Sequence, residues 1–259
     1  MFTIRLMADR LIAKQLHRMR RDWDRRATEN ARHYVLTGQQ SWSDEEFYRA
    51  GEVTMQEDIL NDLDNICQGK NPKDMSVLEI GCGAGRVTRA FAKFFGRVYA
   101  VDISREMVAQ ARRAVASFPE ARVFRNNGKD LRALGGRWWN RLGISPFQKV
   151  RAPQVDFAFS MLVIQHIPSR LIIENYVREV HRLLRPGGLF KFQVQGSPNI
   201  DSHPEDTWVG APFSEDDARQ LAARCGFEMR YQSGAGDQYY WLWFFKPTGA
   251  ERPIAGAER

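Results

Sequence analysis

The chain has 259 residues, 43% of them hydrophobic and 27% charged, and 38 basic against 31 acidic side chains give a net charge of +7. A chain of this length and composition can bury a sizeable core, which predicts a single enzyme-sized globular domain. Three widely spaced cysteines and the absence of an uncharged apolar run near about 18 residues disfavour a disulfide scaffold, a zinc ribbon, secretion and membrane spanning. This cysteine usage fits a reducing, cytoplasmic compartment.

The amino-terminal lead-in alternates basic and apolar residues between Asp9 and Leu36 at helical spacing, which predicts one or two amphipathic helices. Its many arginines favour an anionic partner. Acidic residues stand among them, as on a solvated helix face with local ion pairs, so nucleic acid is disfavoured, whereas an anionic small substrate or a partner subunit stays open. Tyr34 and Trp42 are candidates to close a site in the following domain, although core packing is the commoner role of a single aromatic residue.

A second helix is predicted to start after Ser43, because Glu46 completes the pattern of a capping box. Asn71-Pro72 then marks the beginning of the core. We therefore predict a helical lead-in at 1–73, a core at 74–247 and a flexible tail at 248–259.

The most informative segment is VLEIGCGAGR at 77–86, an apolar run that ends in glycines at alternate positions. Residues 77–80 predict a strand of a parallel sheet that is covered on both faces. Gly81, Gly83 and Gly85 allow the backbone to turn sharply and to approach a ligand with no side chain in between. Glycines after a strand can be purely structural, but this pattern followed by an acidic strand end favours a nucleotide-cofactor site.

A second strand over 98–101 leads into Asp102, about twenty positions after the glycine loop. A carboxylate at this place can accept hydrogen bonds from both hydroxyls of a ribose. The spacing disfavours a dinucleotide, because the G-x-G-x-x-G fingerprint needs a small residue where Arg86 stands. Glu79, inside the first strand, adds an acidic group that contacts the ligand or else pairs with backbone amides or with Arg86.

A fourth strand is predicted at 155–160, followed by the segment QHIP and an amphipathic helix at 169–184. Pro186-Gly187-Gly188 is expected to end this helix and to turn the chain into a fifth strand. His166 lies just past the fourth strand, where the open ends of parallel strands form a ligand crevice, so it is the candidate general base. A histidine before Ile167-Pro168 can equally bond the local backbone.

Towards the carboxyl end, the sequence predicts a capped helix from Ser214 to Cys225 that is ended by Gly226. Two strands follow at 227–232 and 238–245, separated by a glycine-rich turn. With the earlier segments they predict an α/β domain.

Taken in order, E-x-G-x-G-x-G at 79–85, Asp102, QHIP and LLRPGG at 183–188 resemble the motifs of class I S-adenosylmethionine (SAM) dependent methyltransferases, small-molecule branch. The resemblance covers roughly 74–247. It implies a Rossmann-like, seven-stranded, mostly parallel sheet with one antiparallel C-terminal strand and helices on both faces. It also implies SAM as cofactor and S-adenosylhomocysteine as product, with no metal expected. Acidic Glu79 suits a sulfonium and ammonium ligand better than a phosphate.

The resemblance implies roles for individual residues around the first two strands. Gly81, Gly83 and Gly85 would pass beside the methionine part of SAM. Asp102 would bind the ribose, and Ile103 would cover the adenine.

Further ligand contacts are implied where two other strands end. Asn127 and Gly128, after the third strand, would contact the adenine amino edge, and Ser160 and Met161, after the fourth, would line the cofactor near its sulfur. No N/D-P-P-Y signature, typical of enzymes that methylate planar amine nitrogens, follows the fourth strand. The serine found there resembles the small-molecule branch.

The chain departs from the family pattern at 135–154, a basic and aromatic insertion that includes Trp138, Trp139 and Phe147. Its composition allows a nucleic-acid platform, a membrane-contacting loop or a lid over substrate. The plainer interpretation is an insertion whose aromatic residues pack on the domain surface.

The expected function is therefore methyl transfer from SAM to a small-molecule acceptor, with a hydroxyl oxygen favoured and nitrogen or carbon left open. One alternative is an RNA or protein methyltransferase that docks through the basic lead-in and insertion. Another is a non-catalytic SAM-binding subunit of a complex, so an oligomer or a partner subunit stays open.

Overall fold

The computed structural model describes residues 2–135, 152–198 and 206–249, with side chains in the first helix from Arg10 onward. The helices are α1 (Phe2–Val35), α2 (Asp44–Thr54), α3 (Leu63–Cys67), α4 (Arg86–Phe94), α5 (Arg105–Ala114), α6 (Arg170–Leu183) and α7 (Glu215–Cys225). The strands are β1 (Ser76–Ile80), β2 (Arg97–Asp102), β3 (Ala121–Arg125), β4 (Val155–Ser160), β5 (Leu184–Val194), β6 (Glu228–Ser233) and β7 (Tyr240–Phe245). Most of the insertion predicted at 135–154 lies outside the described residues. In the described part, no helix is both long and apolar enough to cross a membrane.

The seven strands form one sheet in the order β3-β2-β1-β4-β5-β7-β6. The pairs from β3 across to β5 are parallel, whereas β7 runs antiparallel to both β5 and β6. The mostly parallel sheet with one antiparallel C-terminal strand is thereby confirmed. The strand order reverses between β1 and β4, and in such sheets a crevice opens at the carboxyl ends of the two strands that flank the reversal.

The central strands are buried on both faces, which is why their sequences read as apolar runs rather than as alternating patterns. All residues of β1 and of β4 are buried. Successive side chains of a strand point to opposite faces, so Leu78 and Ala158 join one apolar cluster while Val77 and Phe157 join the other. This two-sided core makes the sheet a rigid base for the loops at its carboxyl edge.

Local signals placed most element ends correctly, with one difference after α6. Ser43 and Ser214 both form complete capping boxes, as predicted. The helix α6 ends at Leu183, but β5 begins at once and includes Pro186-Gly187-Gly188 instead of following it. Leu184 already pairs with Val155, and a register shift before the next pair accommodates the Pro-Gly-Gly turn inside the paired strand.

The lead-in helix α1 is interrupted near its end at Asn30, where φ is −165° and ψ is 81°. The Asn30 side chain donates to the Gln40 carbonyl at 2.6 Å and accepts from the His33 amide at 3.2 Å, which replaces part of the lost helical bonding. After the break, Val35 lies over the glycine loop, with a methyl carbon 2.6 Å from the place where a Cβ on Gly83 would stand. A Cβ on Gly83 would force Val35 to shift, and the φ of +51° at this position also favours glycine.

Candidate functional site

A cavity that is partly open to solvent lies at the carboxyl ends of β1, β2 and β4 and is covered by α1. Most of the predicted site residues line it: Glu79, Gly81, Gly83, Asp102, Ile103, Met161 and His166. The crevice expected from the strand order is thus a defined cavity at the predicted loops.

Four predicted residues do not border this cavity: Gly85, Asn127, Gly128 and Ser160. Gly85 starts α4 with φ +88°, and a Cβ there would be 2.9 Å from the Ala111 backbone. Ser160 donates from Oγ to the Ile80 carbonyl at 3.1 Å, which ties β4 to β1. These contacts hold the backbone next to the cavity lining. Direct contact of Gly85 or Ser160 with a ligand remains a prediction.

Asn127 and Gly128 shape the loop after β3. Asn127 donates to Asp130 at 2.9 Å and accepts from the Lys129 and Asp130 amides at 2.8 Å. Gly128 packs against Ile103, whose Cδ1 is 2.5 Å from the place of a Cβ on the glycine. Their contact with a ligand also stays a prediction.

The preceding residue, Asn126, does line the cavity, and it donates from Nδ2 to the hydroxyl of Tyr176 at 2.7 Å. Tyr176 comes from α6 and lines the cavity as well. Sequence reasoning missed both, because two adjacent asparagines give no sign of which one turns inward and Tyr176 reads as an ordinary apolar position of the helix.

Asp102 is held at the end of β2 by two backbone amides. Gly83 donates to Oδ2 at 2.9 Å and Ser104 donates to Oδ1 at 2.8 Å. Burial raises the pKa of this carboxyl to about 6, and the backbone hydrogen bonds oppose that rise. Each oxygen keeps lone pairs for further donors, so the carboxylate both fixes the glycine loop and can bind a hydroxylated ligand.

Glu79 is buried at the other end of the glycine loop, where Thr88 donates to its Oε2 at 2.6 Å. Burial raises the pKa of Glu79 to about 7, against the hydrogen bond from Thr88 and the attraction of Arg86. Its hydrogen-bond partner in the described residues is therefore a hydroxyl, not the backbone amide or the Arg86 ion pair considered from the sequence.

Arg86 is a cavity residue that sequence reasoning did not assign to the ligand. Its side chain is only 4% exposed, and Nη1 donates to the Ala50 carbonyl and to Thr54 Oγ1, each at 2.7 Å. Among the described residues its buried Nε has no hydrogen-bond partner. A buried donor of this kind is costly to leave unpaired, which points to an acceptor brought by a ligand.

The raised pKa of Glu79 predicts a pH-dependent stability that a neutral isostere removes. Between pH 4.5 and 7 the folded protein keeps a proton on Glu79 that the unfolded chain releases, so this carboxyl destabilises the fold increasingly as pH rises through that window. We expect Glu79→Gln to gain up to about 3 kcal/mol relative to wild type between pH 5 and pH 8. Urea unfolding at both pH values measures this.

Two features make that comparison specific. His166, whose pKa is lowered, titrates in both proteins and cancels in the difference, whereas the charge of Asp102 is one of the causes of the raised Glu79 pKa and belongs to the measured effect. Glu45→Gln, on the exposed face of α2, is the matched control and should follow wild type. Parallel pH curves for Glu79→Gln and wild type would contradict the assignment of the buried proton to Glu79.

His166, which follows β4, also lines the cavity and is 8% exposed. Its Nδ1 bonds the carbonyl oxygen of Trp208. Burial lowers the pKa of His166 to about 4, and the Arg26 charge lowers it further, against the Trp208 carbonyl and Asp206. The imidazole is therefore neutral near pH 7. It lines the cavity, and the backbone carbonyl that it bonds is 42 positions away, not the local backbone considered from the sequence.

The wall beside His166 comes from α1 and is aromatic. Trp23 and Tyr34 line the cavity, and the Trp23 ring lies edge-on to His166 at 5.5 Å. Trp42, the other aromatic candidate, is not part of the lining and instead donates from Nε1 to the Leu36 carbonyl at 3.1 Å. Trp23 carried no signal beyond its apolar spacing, so the sequence could not single it out.

Within the described residues, no group of three or more His, Cys, Asp or Glu side chains is arranged to hold a metal ion.

Comparison with known proteins identifies a family model that matches this chain. The family model described as a methyltransferase domain matches residues 54–232, from the end of α2 to β6. The matched region contains the glycine loop, Asp102 and His166.

Two curated relatives match about half of this chain. A malonyl-[acyl-carrier protein] O-methyltransferase of Enterobacter lignolyticus is 30% identical over 129 residues, which is 50% of this chain and 41% of that protein. An uncharacterised 37.1 kDa transposon protein of Streptomyces fradiae is 32% identical over 130 residues, or 49% of this chain and 31% of that protein. The chain thus matches less than half the length of either relative.

Solved structures share the fold at low identity. Magnesium protoporphyrin IX methyltransferase of Synechocystis, crystallised with SAM, superposes with a TM-score of 0.59 at 15% identity, over 90% of this chain and 97% of that one. Phosphoethanolamine N-methyltransferase 1 of Haemonchus contortus gives a TM-score of 0.62 at 14% identity, over 93% and 51%. These similarities confirm the predicted Rossmann-like architecture.

Proposed function

The chain belongs to the methyltransferase domain family, and from that premise we propose that it transfers a methyl group from SAM to the hydroxyl oxygen of a small molecule. The observation that carries the proposal is one cavity lined both by Asp102, which backbone amides fix, and by a neutral His166. When bound, SAM supplies a methyl group on a sulfonium centre that is open to displacement by a nucleophile.

The residues of the cavity fit SAM in chemistry. Buried Glu79 and Asp102 suit a ligand with a sulfonium and an ammonium group, and Asp102 retains lone pairs for two ribose hydroxyls. The orphaned Nε of Arg86 provides a donor for the carboxylate of the methionine part. Ile103 and Met107 supply apolar surface for the adenine.

The chain's own groups then orient the acceptor, exclude water and handle a proton. His166 can take the hydroxyl proton at Nε2, because Nδ1 is already committed to the Trp208 carbonyl. Trp23 and Tyr34 close the cavity from α1 and keep water from the reacting end. The name of the Enterobacter relative, a malonyl O-methyltransferase, supports oxygen as the acceptor atom, with a carboxylate and not a hydroxyl as the acceptor group of that relative.

The experiment that tests this function follows the methyl label. The purified chain is incubated with methyl-tritiated SAM and a cell extract, and the label is then separated into solvent-extractable small molecules, RNA and protein. We expect it in the small-molecule fraction, as an ether that resists mild base. Label confined to RNA or protein would support the macromolecular alternative, and SAM binding without transfer would support a non-catalytic subunit.

Arg86 provides a second test, of how the cofactor is held. We expect Arg86→Lys, which keeps the charge but lacks Nε, to weaken SAM binding about tenfold or more through loss of a charge-assisted hydrogen bond. Binding of decarboxylated SAM should stay unchanged, because that ligand has no carboxylate to lose. Calorimetric titration of both ligands measures this. An equal loss for the two would show that Arg86 acts only through its contacts with α2.

A further inference from the structure

We propose that the acceptor is a phenol, an aromatic ring that carries a hydroxyl group, and that the Trp208 carbonyl selects it by fixing the tautomer of His166. This inference rests on the proposed methyl transfer and names the substrate class of the same cavity. Three observations carry it: the hydrogen bond at His166 Nδ1, the aromatic wall beside it, and the tethering of the segment at 206–210 to α1.

The hydrogen bond at Nδ1 determines what the other ring nitrogen can do. A carbonyl oxygen can only accept, so Nδ1 carries the proton and Nε2 of the neutral ring presents a lone pair. An acceptor substrate that donates a hydrogen bond, such as a hydroxyl, is complementary to that lone pair. A carboxylate would place a second acceptor against it and is disfavoured.

Arg26, whose charge lowers the pKa of His166, is engaged outside the cavity lining. Arg26 stacks over the rings of Trp23 and Trp208, with its guanidinium carbon 4.7 and 5.1 Å from their centroids. It donates to the Thr207 carbonyl at 3.0 Å and is absent from the cavity lining. The Arg26 guanidinium is therefore not among the groups that a carboxylate bound against the His166 lone pair would meet in the lining.

The surrounding rings favour an aromatic acceptor over an aliphatic alcohol. Trp208 packs behind the lining residues, with its ring centroid 5.0 Å from His166, 6.2 Å from Trp23 and 6.0 Å from Tyr34. Rings at such distances gain from edge-to-face and offset contacts beyond the burial of apolar area. A phenol ring placed against Trp23 and Tyr34 would extend this cluster into the cavity, with its hydroxyl towards His166.

The carbonyl that sets the tautomer is held from several sides. Thr207 donates from Oγ1 to Asp22 of α1 at 3.1 Å, and the Trp208 amide donates to Asp206 at 2.6 Å. The Gly210 amide donates to the Gln165 carbonyl at 2.8 Å, next to His166 itself. Thr207 and Asp22 are therefore positioning residues, which act on the acceptor only through Trp208 and His166.

The step balances without another reactant. The phenol oxygen gives its proton to Nε2 of His166 and uses the freed electron pair to bond the methyl carbon. The electron pair of the broken carbon–sulfur bond stays on sulfur as a neutral thioether. The Trp208 carbonyl accepts from Nδ1 throughout and stabilises the imidazolium until it releases the proton to solvent.

The first test measures binding of matched probes to wild-type protein saturated with S-adenosylhomocysteine at pH 7. The probes are naphth-2-ol, 2-naphthoate and decahydro-2-naphthol, which share a bicyclic frame. Relative to naphth-2-ol, 2-naphthoate carries a carboxylate in place of the hydroxyl, and decahydro-2-naphthol keeps the hydroxyl on a saturated ring. At this pH a phenol keeps its proton and a carboxylate is ionised. We expect naphth-2-ol to bind about tenfold tighter than 2-naphthoate and about fivefold tighter than the saturated alcohol.

The other possible binding results would overturn different parts of the proposal. Equal or tighter binding of 2-naphthoate would overturn selection by the His166 tautomer, and equal binding of the saturated alcohol would overturn the aromatic class. Failure of all three probes, with S-adenosylhomocysteine bound, would overturn the substrate class as a whole. Failure to bind S-adenosylhomocysteine would instead overturn the proposed function, so the two levels are distinguishable.

The second test observes the tautomer and the tether directly. In ¹⁵N-histidine-labelled protein, with His166→Gln used for assignment, we expect His166 protonated at Nδ1 and bare at Nε2. Thr207→Val should mix the two tautomers and lower kcat for naphth-2-ol with little change in KM, and Thr207→Ser should restore both. Thr28→Val removes a hydroxyl that bonds the Asp24 carbonyl on α1 and is the matched control. Protonated Nε2 in the wild type would overturn the proposal, and an unaltered Thr207→Val would remove Thr207 from it.

Discussion

Asp102→Ala is expected to weaken SAM and S-adenosylhomocysteine binding by about 10- to 150-fold, a loss of about 1.5–3 kcal/mol for charged hydrogen bonds. The structure gives two reasons for a large effect. The variant loses the carboxylate proposed to accept from the ribose, and it also releases the Gly83 amide that Oδ2 holds at 2.9 Å. Calorimetric titration of both ligands into folded protein measures the change.

A matched control separates the site from general stability. Asp216→Ala, on the exposed face of α7, removes a carboxylate that bonds only Gln220 in the described residues, at 2.7 Å, and should bind both ligands like wild type. Asp102→Asn tests the direction of the hydrogen bonds, because its amide nitrogen cannot accept from a backbone amide. Wild-type affinity in folded Asp102→Ala would show that the cofactor lies elsewhere in the cavity.

His166→Gln is expected to lower kcat for naphth-2-ol by about 10²- to 10⁴-fold while S-adenosylhomocysteine binding changes less than about twofold. Glutamine can donate to the Trp208 carbonyl in place of Nδ1, so the loop keeps its tether, but an amide cannot take the hydroxyl proton. His181→Gln is the matched control, because His181 is partly buried on α6 against Phe227 and does not line the cavity. A His166→Gln enzyme with kcat near wild type would remove the general base from the mechanism.

The pH profile of kcat gives an independent check on His166. Because burial lowers its pKa to about 4, the active neutral form should persist down to about pH 5, and the rate should fall only below that. An ordinary histidine would give an inflection near 6.5. SAM must be saturating, since Glu79 and Asp102 have pKa values of about 7 and about 6 and their ionisation alters cofactor binding across the same range.

The local sequence was sufficient for the parts of this protein that depend on neighbouring residues. The apolar run into Gly81 and Gly83, the acidic end of β2 at Asp102, and the capping boxes at Ser43 and Ser214 were all predictable, because strand burial, positive φ and helix caps are decided within a few positions. The domain boundaries and the ligand roles of individual residues remain predictions.

Only the tertiary structure decided which distant residues support the cavity lining. Arg86 Nη1 bonds the Ala50 carbonyl, 36 positions away in α2, which holds the side chain with its Nε unpaired among the described residues. Thr207 bonds Asp22, which is 185 positions away. Asn126, and not Asn127, lines the cavity, where it bonds the hydroxyl of Tyr176. The tautomer of His166 likewise follows from its hydrogen bond to the Trp208 carbonyl. Such contacts arise only when packing brings distant segments together, so no local pattern could reveal them.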